Sequence, residues 1–133
     1  MVPDGPTVIL LLKIVVSAAT ALFLASLIPL AWGNYRLHGR VNLVFFVLTV
    51  STVLVFETLL QLGLDVRSFM TETERQTLQI HLCFAGPLPL VMGLMLYTGL
   101  RHLRRLHLIL AALFVVLWAG TVTTGVFFLP HRQ

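Results

Sequence analysis

Charge is what this sequence has least of. Asp, Glu, Lys and Arg make up 11% of its 133 residues, where a water-soluble domain carries roughly 25%. Hydrophobic residues make up 58%, and a chain this short cannot hide so much apolar surface in one water-facing core. Its solvent must be lipid. Cysteine is nearly absent as well. Cys83 stands alone, which excludes an intrachain disulfide and any CxxC redox or copper-shuttling motif; within its apolar segment it reads as a small buried hydrophobe. No phosphate loop, nucleophile elbow or HExxH occurs. Nothing points to hydrolysis or phosphate chemistry, and no enzymatic activity is expected, although a redox role stays open.

Acidic residues are also few, five against nine Lys and Arg, for a net charge of +4. The basic residues cluster between apolar runs and no basic and aromatic motif accompanies them, so they read as topology signals rather than as a nucleic-acid surface. The N-terminus "MVPDGPT" has no basic residue before the first apolar run. That run is too long for a signal-peptide core, so no cleavable signal is expected.

Four stretches reach the length of about 20 apolar residues that a bilayer crossing needs. They cover about 7–33, 41–63, 76–100 and 106–129. An isolated span in lipid must satisfy its backbone internally, so all four are expected to be helices. The first connection carries Arg36 and Arg40, the third Arg101, Arg104 and Arg105, while the second mixes Asp65, Glu72 and Glu74 with Arg67 and Arg75. Arginine-rich connections stay cytoplasmic. The expectation is an all-α, integral membrane four-helix bundle, a single domain over 1–133, running up-down-up-down with both termini outside. Lys13 opposes this orientation and is expected to snorkel outward. No strong internal repeat is evident. Pro87 and Pro89 should kink the third helix. Gly86, Gly93, Gly99, Gly120 and Gly125 should let helices approach closely.

Ionisable groups inside such spans cost about 2.5 to 3.5 kcal/mol on insertion scales. Glu57 sits about six residues before the end of its span, and His81 about five residues into the next. Their depths match, so they could pair or supply two ligands to a metal ion. His38 and His107 open the second and fourth helices at the opposite face. In up-down order these helices lie diagonally across the bundle, an arrangement suited to gripping a flat porphyrin or one ion. His102, in a basic loop, and His131, near the terminus, read as interfacial. Nineteen residues of helix separate His38 from Glu57, about 28 Å at 1.5 Å per residue. One compact site cannot hold all four groups, so two polar centres are expected.

The last span, "RRLHLILAALFVVLWAGTVTTGVFFL", places Trp118 eleven residues after His107, with Thr124 and Gly125 six and seven residues further on. Together with His38 in "RLHGRVN" and His81 in "QIHLCFAGPLPL", this pattern resembles domain-of-unknown-function family 420, a small bacterial membrane family that includes an assembly factor for cytochrome aa3-type oxidase. The resemblance covers about residues 15–129. The family usually has a further histidine late in the second helix. Here "FETLLQLG" has none, and Glu57 stands about one turn earlier on the same face. Gly120 replaces the aromatic residue that often follows the tryptophan by two.

The resemblance implies a multi-pass protein of the bacterial inner (plasma) membrane, acting in the assembly of a haem-copper respiratory oxidase or as an accessory to it, with oxidase subunits and membrane lipid as partners and a homo-oligomer left open. His38 and His107 would bind haem or a metal ion; His81 and Glu57 would bind a metal ion such as copper. A small b-type redox carrier is the alternative. A purely structural subunit ranks third: hydrogen bonds between helices in lipid average about 0.6 kcal/mol, too little to explain four buried ionisable groups.

Overall fold

Asp4 starts the first helix. Its carboxylate accepts from the Thr7 amide at 3.1 Å and from the Thr7 hydroxyl at 2.9 Å, satisfying donors that the first helical turn leaves unpaired. In the computed structural model, which describes residues 4–128, α1 runs over Gly5–Ala31 and α2 over Tyr35–Gln61. Each has 27 residues, about 40 Å of helix, enough to cross the roughly 30 Å hydrocarbon layer. The turn between them is short because Gly33 takes a left-handed φ of +74° and Asn34 at once caps α2, accepting from the Leu37 amide at 3.1 Å.

After a connection through 62–71, Thr71 and Glu74 close a reciprocal capping box, and α3 (Glu72–Ala85) begins. It breaks where expected. Pro87 has no amide hydrogen to continue the ladder, and α4 (Leu88–Leu100) resumes beyond it, the two halves forming one span of 29 residues. A second tight turn, at 101–103, leads to α5 (Arg104–Val122), which ends in a π-helical turn, Thr123–Phe128. Every element among the described residues is helical, and four helical segments are long and apolar enough to cross a membrane. The second span begins at Tyr35, not near residue 41, which puts His38 in the first turn of α2. The last residue of the expected fourth span, and His131, lie outside the described residues.

Neighbours follow the up-down order. α2 packs on α1 and α4, α5 packs on α4 and α3, and the π-helical turn closes back on α1. Phe23, Phe45, Phe114 and Trp118 fill the centre with edge-on and stacked rings at centroid distances of 5.0–5.9 Å, the offsets that ring quadrupoles favour. At the end bearing the 62–71 connection, Leu64 and Val66 fold over Val8 and pack against Phe56, Leu59 and Leu60. Cys83 departs from expectation: it is exposed. The α3 helix turns Phe84 and His81 toward α5 instead, against Gly120 and Gly125.

The first and third turns resemble one another. Gly33 and His102 both take left-handed φ values, +74° and +55°. Asn34 and Leu103 donate back to Pro29 and Thr98 across their turns at 2.8 and 2.9 Å. Arg36-Leu37-His38 recurs as Arg105-Leu106-His107, and Phe45 recurs as Phe114, all at one spacing. The likeness is confined to the turns and the first residues after them: Gly63 and Leu64 make the same helix-ending pattern, with Leu64 donating to Leu59 at 3.0 Å, and α1 is unbroken where α3 and α4 are two helices.

Candidate functional site

The tight turns bring His38 and His107 to the same end of the bundle, each as the fourth residue of its helix. His38 Nδ1 lies 2.8 Å from the Ser26 carbonyl. His107 Nδ1 lies 3.0 Å from the Met95 carbonyl. Both acceptors stand twelve residues back, on the preceding helix of the same hairpin. A carbonyl oxygen can only accept, so each Nδ1 must carry the hydrogen and each Nε2 keeps the lone pair. Ring anchoring of this kind is what metal-ligating histidines use to fix tautomer and orientation.

Local sequence explains the fit. Thr98, 1% exposed, turns its hydroxyl back onto the Leu94 and Met95 carbonyls at 2.9 and 3.1 Å, and the same oxygen lies 3.3 Å from His107 Nδ1, against the ring. Gly99 adds to it: a Cβ there would sit 3.4 Å from His107 Cε1. In the first hairpin Pro29 cannot donate to the Ala25 carbonyl one turn back, and Ser26 beside it is fully buried.

The two imidazoles differ at their other nitrogen. His38 Nε2 accepts from Asn42 Nδ2 at 2.9 Å. No described residue bonds His107 Nε2; the residue equivalent to Asn42 is Ala111. Asn42 Oδ1 is buried and has no partner, an arrangement that costs free energy in a low-dielectric interior.

The structure does not pair His81 with Glu57. His81 Nδ1 lies 2.9 Å from Thr124 Oγ1. That hydroxyl donates its own hydrogen to the Gly120 carbonyl at 2.7 Å, so it accepts from His81. Glu57 is exposed on α2 and makes no hydrogen bond or ion pair with another described residue. The cause is the break at Pro87, which seats α3 on α5 and the π-helical turn while α2 packs on α1 and α4. Among the described residues no group of three or more His, Cys, Asp or Glu side chains could hold a metal ion. His81 offers a single ring nitrogen, and the pair does not fit a metal centre.

The tryptophan, threonine and glycine of the last span have visible jobs. Trp118 donates to Thr20 Oγ1 on α1 at 3.1 Å. Thr124 holds the His81 ring, and Gly125 leaves it room, since a Cβ there would meet Cε1 at 2.8 Å. Sequence reasoning missed Asn42 and Thr98. Asn42 one turn after His38 was the signal that could have found the first; nothing local marks the second. His102, expected to be interfacial, is exposed in the α4–α5 turn, where its left-handed backbone sets the turn geometry.

Fold and site define a multi-pass, four-helix membrane bundle with a pair of equivalently anchored histidines at one end. The chain matches no protein-family model, no curated protein and no solved structure.

Proposed function

We propose that this chain is a non-enzymatic assembly or accessory factor for a haem-copper respiratory oxidase in a bacterial plasma membrane, and that His38 and His107 form its haem- or metal-binding site. One observation carries this reading: two imidazoles at one end of the bundle, each lying by Nδ1 against a main-chain carbonyl, with Nε2 of His107 unengaged by any described residue and Nε2 of His38 held by Asn42. The donor chemistry suits haem iron, and the orphaned Asn42 oxygen beside His38 marks a site with a polar group not yet satisfied. Haem, when bound, would supply an iron centre for transfer or redox chemistry. The protein's part is to orient both rings, to shield the site on its inner side with the four-ring aromatic plug, and to face Arg36, Arg40, Arg101, Arg104 and Arg105 to the cytoplasm. Oxidase subunits would be the partners.

An optical spectrum with metal analysis on detergent-purified full chain tests this. A Soret band or stoichiometric metal, lost in His107→Ala, is expected, together with impaired oxidase maturation in cells carrying that variant. Absence of both ligands, with maturation intact in His107→Ala, overturns it. The equivalence of the two histidines also suits a small b-type redox carrier. Reversible reduction by dithionite with retention of the haem would favour that second reading over a factor that holds haem in transit.

A further inference from the structure

We propose that the cleft between the 62–71 connection and the start of α3 binds the headgroup of a zwitterionic phospholipid with a primary ammonium, a phosphoethanolamine group. The site lies at the opposite end of the bundle from the histidine pair and does not depend on the haem reading. The cleft has a volume of about 320 Å³, and Asp65, Arg67, Glu72, Arg75, Leu78 and Gln79 help to line it. That is the small end of the roughly 300–1,000 Å³ range of small-molecule sites, suited to a headgroup and not to a whole lipid.

Charge in the cleft is balanced, with two guanidiniums against two carboxylates. Asp65 is turned to its own loop, one oxygen accepting from the Arg67 and Ser68 amides at 2.9 and 3.1 Å. Arg75 donates one N–H to the Arg67 carbonyl at 3.2 Å. Those bonds shape the loop and leave the second Asp65 oxygen and the other Arg75 donors unspent. The Arg67 guanidinium and the Glu72 carboxylate bond no described residue, and no ion pair joins any two of the four. A ligand of single charge meets as much repulsion as attraction in such a wall. A phosphate and an ammonium on one short linker find partners at both ends. Guanidinium forks take the phosphate oxygens, and carboxylates accept from the ammonium N–H groups.

Position along the span identifies the source of the headgroup. The α3–α4 span has 29 residues, about 43 Å of helix, roughly 13 Å more than the hydrocarbon layer needs. Its polar end is "ETERQTLQ", residues 72–79, so the cleft stands at the level of lipid headgroups. Leu78 is its one apolar lining residue.

Native mass spectrometry of the detergent-purified full chain tests this, with phosphatidylethanolamine, phosphatidylcholine and phosphatidylglycerol of identical acyl chains. Phosphatidylethanolamine should be retained roughly threefold over each of the others, the scale of an exposed ion pair. The choline headgroup has no N–H to give a carboxylate, and the glycerol headgroup has no cation. Arg67→Gln should weaken retention of both zwitterionic lipids. Glu72→Gln should bring phosphatidylethanolamine down to the level of phosphatidylcholine and leave phosphatidylcholine unchanged. Both side chains are exposed and neither makes a bond that shapes the loop, so far-UV circular dichroism of both variants should match wild type. Soluble O-phosphoethanolamine, which has the same charges and no acyl chain, should compete only when in large excess. Equal retention of the three lipids, preference for phosphatidylglycerol, or an unchanged preference in Glu72→Gln overturns the proposal. A soluble compound that binds as tightly as the lipid overturns the membrane as its source.

Discussion

Phe45 and Phe114 meet at the centre of the bundle with ring centroids 5.9 Å apart and planes nearly perpendicular. Each stands seven residues, two helical turns, beyond a histidine. Residues at that spacing share a helix face, so the contact turns His38 and His107 toward the same interior. Burial of the rings, at 4% and 2% exposure, makes this the hinge between packing and site.

Phe114→Ala should therefore cost about 3 kcal/mol of bundle stability, the low end of phenylalanine losses, because lipid removes the hydrophobic transfer term but not the cavity. Unfolding in mixed micelles would measure it. Haem affinity should fall with it, since the plug sets the floor of the site; unchanged affinity would show that the histidines are positioned by their hairpins alone.

Gly125→Ala should push the His81 ring away from Thr124, because the new methyl would meet Cε1 at 2.8 Å. A loss of about 1–3 kcal/mol is expected, as for overpacking elsewhere. His81→Ala in the same background should recover part of it by removing the clash. Additive losses in the double variant would contradict the contact.

Glu57 faces away from the bundle with no partner among the described residues. Glu57→Leu should favour insertion of the second span by roughly 1–3 kcal/mol, less than a mid-bilayer charge because the residue is near the helix end. It should leave the haem spectrum unchanged. A shifted spectrum would mean that the carboxylate reaches the site.

Asp4 lies outside the spans, and its hydrogen bonds from the Thr7 hydroxyl and then the Thr7 amide hold its carboxyl below the ordinary carboxylate range. A depressed value in the folded state means that the cap is fully present above the ordinary range and is lost as pH falls through Asp4's own lower value. Amide exchange at Thr7 should speed up through that acid window. In Asp4→Asn, which still caps but does not titrate, exchange should show no such step.

Much of the fold could be read from the chain in advance. The four apolar runs and the break at Pro87 are local properties, fixed by run length and by a single residue. The start of α2 was read about six residues late because "NYRLHGR" is polar enough to pass for a loop; Asn34 capping and the left-handed Gly33 make it helix. Of the site, the sequence put His38 and His107 at the starts of two helices, and each is the fourth residue of its helix. It could not say which neighbours each would meet.

Position along the chain fixes how deep a residue lies in a straight span, because every residue advances the helix by the same 1.5 Å. The sequence alone therefore determined a lipid-embedded bundle of four spans and the levels of its polar groups. Rotation of each helix about its own axis is set by packing: by Phe84 and His81 settling on Gly120 and Gly125, by Pro87 redirecting α3, by the aromatic rings at the centre. Only tertiary structure could decide that His81 turns to Thr124 and not to Glu57, and that Nε2 of His38 is engaged by Asn42 while that of His107 meets no described residue.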